Sequence, residues 1–124
     1  MRRGDSLPHF SVTTVDGRRV EYADLWQRKN VVLVTVPAEG SAAGYASHLL
    51  RDRERLGAHN TACVVTADPL DGLPPASVVI ADQWGEIQFI ATGQPAEALP
   101  TVAELVEWLE HVQHQCPECQ GETR

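Results

Sequence analysis

The chain has 124 residues, a formal net charge of −7 and 43% hydrophobic residues, enough for one domain with its own core. Residues 1–60 carry nine Arg/Lys against seven Asp/Glu and residues 61–124 one against ten, so no basic stripe is available for phosphates and nucleic acid is not an expected partner. The opening MRRGDSLPHF lacks the apolar core of a signal peptide, no run approaches the ~18 apolar residues of a membrane span, and three cysteines are too few for a disulfide scaffold; a reducing, cytoplasmic setting without membrane contact is the expectation.

From His9 to Val15 the sequence alternates Phe10 and Val12 with polar neighbours, and Asp16-Gly17 is a strong turn signal before Arg18 to Glu21, so the chain should open with a β-hairpin. Tyr22 to Gln27 reads as a short turn or helix that packs Leu25 and Trp26. The run VVLVTV from Val31 to Val36 then has the composition of a strand buried on both faces, bounded by Pro37. Beyond a small-residue loop, PAEGSAAG, the residues Tyr45, Leu49 and Leu56 fall on one helical stripe, with Gly57 as C-cap. TACVVTA follows as a second continuous apolar strand, so strand, helix and strand imply a right-handed parallel βαβ unit. Cys63 lies inside that strand and is expected to act as a small buried hydrophobe rather than as a reactive thiol.

Asp68 to Pro75, DPLDGLPP, is all turn chemistry and has neither the length nor the composition of a helix. SVVIA, a turn at Asp82 to Gly85, and EIQFIAT read as an antiparallel hairpin in which Ile87, Phe89 and Ala91 alternate with Glu86, Gln88 and Ile90. The last helix opens with a capping box, Thr101 as N-cap and Glu104 three residues on, and its core stripe is Val102, Leu105, Val106, Leu109 and Val112, with Trp108 at the border. Pro117 stops it. The expected organisation is one domain over 1–115 and a tail over 116–124.

The loop PAEGSAAG resembles, at Pro37, Ser41 and Gly44, the Pro-x-x-x-Thr/Ser-x-x-Cys motif of peroxiredoxins, the alkyl hydroperoxide reductase and thiol-specific antioxidant family of the thioredoxin superfamily. The phrase from Leu7 to Leu33, with LPHF, DG, ADL and KNVVLV, is similar to the opening of redoxin domains, and the order of elements is similar from residue 4 to residue 115. The resemblance implies an α/β thioredoxin-like fold: a mixed sheet with an N-terminal hairpin, a central βαβ unit, and a C-terminal hairpin and helix. The helix that this fold normally inserts between the later strands would be missing. It also implies a redox or antioxidant role, with an active-site loop made degenerate because Gly44 occupies the slot of the peroxidatic cysteine. Read against the Cys-x-x-Cys of thioredoxins, the pair would be Ser41 and Gly44, again without a thiol. Pro75, just before SVVIA, is the candidate for the cis-proline that the fold places against its active site. The arginine that peroxiredoxins hold near the start of the last hairpin has no counterpart, since nothing basic lies between Asn60 and His111.

The remaining chemistry is Cys116-Pro-Glu-Cys119, with His111 and His114 upstream. Three readings stand. The pair can be a redox dithiol, making the protein a thiol–disulfide oxidoreductase with a protein redox partner. It can be a knuckle for zinc or iron, with His111 and His114 or a second subunit completing a tetrahedral site, in a non-catalytic binding module. The helix start at Ser41 to Gly44 can hold a small anion, although Ser41 itself is expected to serve as a helix N-cap. A C-terminal helix end and three glutamates, Glu110, Glu118 and Glu122, oppose a thiolate at the pair. A sheet face left bare by the missing helix would favour a homodimer, unless the N-terminal hairpin and Trp26 fold over it.

Overall fold

The computed structural model describes residues 2–36, 49, 51, 60–68, 70, 72–74, 76–92 and 99–114, with only the backbone for Val102, Gln113 and His114. Ser11–Thr13 (β1) and Arg19–Glu21 (β2) form an antiparallel hairpin, with Val12 opposite Val20. Gly17 makes its turn possible at φ +91, and a single 3-10 turn, Tyr22–Asp24, follows. Four longer strands build the sheet: β3 (Asn30–Thr35), β4 (Thr61–Thr66), β5 (Ser77–Ala81) and β6 (Ile87–Thr92). Their order is β4-β3-β5-β6, and α1 (Val102–His114) is the last element.

All six residues of β3 are buried, as its apolar run requires of a central strand covered on both faces. It pairs in parallel with β4, from Asn30 opposite Thr61 to Thr35 opposite Thr66, and antiparallel with β5. The parallel pairing bears out the expected βαβ unit; of its helix, Leu49 and Arg51 are described and both are helical. Among the described residues no helix is long and apolar enough to cross a membrane.

Because side chains alternate along a strand, β3 feeds two cores. Val32 and Val34 join Val65, Val78, Ile80 and Leu49 on the face covered by α1, through Leu105, Leu109 and Val112. Val31 and Leu33 join Val64, Val79 and Ile87 on the other face, where Leu7, Phe10, Val12, Val20, Tyr22 and Leu25 lie over them. None of the described residues between β4 and β5 is helical; Leu70 and Leu73 form an isolated bridge and pack into this second core. The N-terminal hairpin therefore supplies the cover that the missing helix would give. A homodimer would need a surface other than this face.

The N-terminal segment also reaches both edges of the sheet. At β6, Ser6 bridges Glu86, Gly4 N–H donates to Ile87 O at 2.8 Å and Ile87 N–H to Asp5 O at 2.9 Å. At β4, Thr14 bridges Thr66 and Val15 N–H donates to Val65 O at 2.9 Å.

The capping box forms as read: Thr101 N–H donates to Glu104 Oε1 at 3.3 Å and Glu104 N–H to Thr101 Oγ1 at 3.2 Å. The alternation expected in β6 does not run through. Ile80 pairs with Phe89 but Ala81 with Ile87, so β6 holds one extra residue at Gln88. This bulge puts Ile87 and Ile90 in the hairpin-side core and Phe89 in the helix-side core. Gln88 is buried all the same, its amide donating to Asp82 Oδ2 at 3.0 Å and Glu86 Oε2 at 2.7 Å.

Candidate functional site

The C-terminal end of β3 is where the sequence places the active-site loop. Pro37, Ser41, Gly44 and Pro75 lie outside the described residues, and what is described is the frame around them. Val36 N–H donates to Thr66 O at 2.9 Å. Thr35, the last residue of β3, donates its hydroxyl to Pro74 O at 3.2 Å and accepts the N–H of Ser77 at 3.3 Å. The Ser77 hydroxyl donates to the same Pro74 carbonyl. The two residues are also direct register partners, so the Pro74 carbonyl is held against the end of the central strand from both sides. Ala76 completes the approach in a left-handed conformation, φ +62, and is buried. On the β4 side, Thr66 Oγ1 donates to Thr13 O at 2.7 Å, Asp68 N–H donates to Thr66 Oγ1 at 3.0 Å, and Thr13 N–H donates to Asp68 Oδ2 at 2.8 Å. These hydroxyls and carbonyls form a rigid shelf that can orient a neighbouring loop; none is a nucleophile at neutral pH. Sequence reasoning did not single out Thr35 and Ser77, though a hydroxyl residue ending or opening an apolar strand is the signal that could have found them.

The second candidate lies at the end of α1. Trp108 packs on Phe89, ring centroids 4.9 Å apart, and the Arg3 guanidinium stands 5.9 Å from the Trp108 centroid. The His111 ring meets Trp108 edge-on at 5.9 Å. A shallow cavity of about 240 Å³ is lined here by Glu107, Trp108 and His111. His111 is exposed on the last turns of α1, whose backbone runs to His114; the His114 side chain, Cys116 and Cys119 lie outside the described residues. Among the described residues no three His, Cys, Asp or Glu side chains are grouped as metal ligands would be. Cys63 is half-buried and packs against the helix-side core, as a structural cysteine does.

A third group, whose members the sequence reading placed in separate elements without joining them, lies at the opposite end of the sheet. Phe10 stacks on Tyr22 at 5.1 Å with the planes 8° apart, and the His9 ring meets both Tyr22 and Trp26 edge-on at 5.1 Å. Trp26 Nε1–H donates to Trp84 O at 3.2 Å. The Tyr22 hydroxyl is fully buried and, among the described residues, has no hydrogen-bond partner. Burial, reinforced by the Asp82 charge, pushes its pKa up to about 12.

No protein-family model matches the chain, and no curated protein matches it in sequence. Solved structures do match in shape. Reduced 2-Cys peroxiredoxin from Plasmodium vivax aligns with a TM-score of 0.69 at 13% identity over 90% of this chain and 82% of that one. Thioredoxin peroxidase I from Plasmodium yoelii aligns with a TM-score of 0.70 at 16% identity over 94% and 97%. A thioredoxin-family thiol:disulfide interchange protein from Chlorobium tepidum aligns with a TM-score of 0.66 at 12% identity over 91% and 99%. The fold is thus thioredoxin-like, of the kind that peroxiredoxins have; at such identities the likeness concerns the fold alone.

Proposed function

We propose that this chain is a thiol–disulfide exchange protein on a thioredoxin-like fold, in which Cys116 and Cys119 are the working thiols and the loop after β3 no longer attacks peroxide. The observation that carries the reading is Gly44, which stands at the nucleophile slot of the peroxiredoxin-like motif while a Cys-x-x-Cys is kept beyond α1. The peroxiredoxins and the thiol:disulfide interchange protein among the fold's neighbours support it. One thiolate of the pair attacks a partner protein's disulfide, forms a mixed disulfide and releases one partner thiolate; the second cysteine then displaces the other, leaving a Cys116–Cys119 disulfide and a reduced partner. The helix C-terminus and Glu110, Glu118 and Glu122 disfavour the thiolate, so exchange is slow.

The test is oxidation of the reduced protein by glutathione disulfide, followed by mass spectrometry. The expected products are an internal disulfide in the native chain, a lasting mixed disulfide in Cys116→Ser or Cys119→Ser, and unaltered kinetics in Cys63→Ser. Equal oxidation of the Cys116→Ser/Cys119→Ser double variant through Cys63 would overturn the assignment. Peroxide consumption by that double variant would overturn the loss of the family site.

A second reading is favoured by the same electrostatics: a pair that resists forming free thiolate suits a bound cation. Cys116 and Cys119, with His111 and His114, would then hold zinc or iron in a binding module without catalysis. Stoichiometric metal by elemental analysis, lost with Cys116→Ser, decides for it.

A further inference from the structure

Glu107 and His111 stand four residues apart on α1, the spacing that brings two side chains onto one helix face with their β-carbons about 5–6 Å apart. Both are exposed, and both line the same shallow cavity of about 240 Å³. Trp108 is its third wall. The Trp108 ring packs on Phe89 at 4.9 Å, and the His111 ring meets it edge-on at 5.9 Å with the planes 87° apart. A half-buried tryptophan thus orients an exposed imidazole beside a carboxylate, which leaves that ring less freedom to lose on binding.

A carboxylate oxygen and an imidazole nitrogen are both ligands of transition metals, and donors four residues apart on a helix meet at one ion. The ion needs one ring nitrogen and leaves the other to a hydrogen bond of its own. Charge favours a cation here. Glu104, Glu107 and Glu110 lie along α1, and residues 61–124 carry one basic residue against ten acids. Arg3, whose guanidinium stands 5.9 Å from the Trp108 centroid, is the opposing charge. Glu104 is engaged by Thr101 in the capping box, and Glu110 directly precedes His111, a spacing at which side chains do not face each other. Neither completes the pair. Two protein donors leave the remaining positions to water, which suits copper, nickel or zinc in exchange with solvent rather than a structural ion. Calcium and magnesium call for more oxygen donors.

We propose that Glu107 and His111 form an exchangeable site for a divalent transition metal, with Trp108 as its apolar wall. The site needs neither Cys116 nor Cys119 and is independent of the thiol chemistry assigned to them. With a metal knuckle at those cysteines it would compete for His111, and the experiment separates the two.

The test is calorimetric titration of the tag-free, full-length Cys116→Ser/Cys119→Ser variant with Ni²⁺, with tryptophan fluorescence followed in parallel because a bound paramagnetic ion quenches a ring beside it. The expected result is one saturable site with a dissociation constant below about 1 mM, accompanied by partial quenching. Glu107→Gln and His111→Ala, made in this background, should each weaken binding by about tenfold or more. Glu110→Gln should leave it unchanged. Far-UV circular dichroism verifies the fold of each variant, and Glu107→Gln, a near-isosteric change at an exposed position, carries the test should His111→Ala disturb the helix. Absence of saturable binding, or binding that survives Glu107→Gln, overturns the proposal. An equal loss in Glu110→Gln overturns it too, since the charge of the helix and not a chelating pair would then hold the ion. Loss in His114→Ala with Glu107→Gln unaffected overturns it in favour of His111 and His114, and binding confined to the chain with both cysteines intact overturns it in favour of the knuckle.

Discussion

The Tyr22 hydroxyl lies against the α-carbon of Gly85: a Cβ at residue 85 would sit 3.2 Å from that oxygen and 3.2 Å from Trp26 Nε1. Gly85 also holds φ +87. Gly85→Ala should therefore combine backbone strain with a steric contact and lower stability by roughly 2 kcal/mol, read from the urea midpoint at unchanged m-value.

Tyr22→Phe removes a buried hydroxyl that satisfies nothing. Its cost should be near zero, with a gain of up to about 1 kcal/mol, because no hydrogen bond is lost and a desolvated polar group is deleted. The pH dependence follows from the same burial. The ordinary tyrosine value is 10.0 and the folded value about 12, so the folded state favours the neutral phenol. Its contribution is fully present below pH 10 and is lost as pH rises towards about 12, because the unfolded chain gives up this proton first. Denaturation between pH 9 and pH 12 should show this decline in the native chain, and a shallower one in Tyr22→Phe.

Thr35→Val keeps the shape of β3 but deprives the Pro74 carbonyl of one donor and the Ser77 N–H of its acceptor. A loss of about 1–3 kcal/mol is expected. The Ser77 amide should also exchange with deuterium faster, whereas amides of α1 should follow only the global change.

Thr101→Ala removes one half of the capping box at the start of α1. The expected cost is about 1 kcal/mol. Thr101→Ser should restore most of it, since the accepting hydroxyl returns.

Much of the sheet was legible because its signals are local. The apolar runs of β3 and β4 leave no polar face, Asp16-Gly17 allows one tight turn, and Thr101 with Glu104 announces α1. The bulge in β6 was not legible: alternation says which residues share a face only while each strand contributes one residue per pair, and the extra residue at Gln88 is visible only against β5. The same limit hid the shelf made by Thr35, Pro74 and Ser77 and the meeting of Tyr22 with Gly85, since both join residues some forty to sixty positions apart. That the hairpin covers the second face was weighed only as a rival to dimerisation, because no local pattern says which apolar surface covers which.

The segment that crosses from the β6 edge to the β4 edge is made before the strands it closes, and its partners Glu86 and Ile87 follow about 80 residues later. At 5–20 residues per second, about 80 intervening residues take roughly 4–16 s to synthesise. During that interval the segment has no completed sheet to close, and the strands that have emerged expose both borders to other chains. The sheet is therefore sealed by a segment that precedes all of its strands, and a chaperone that holds residues 4–15 would delay the closing of both borders.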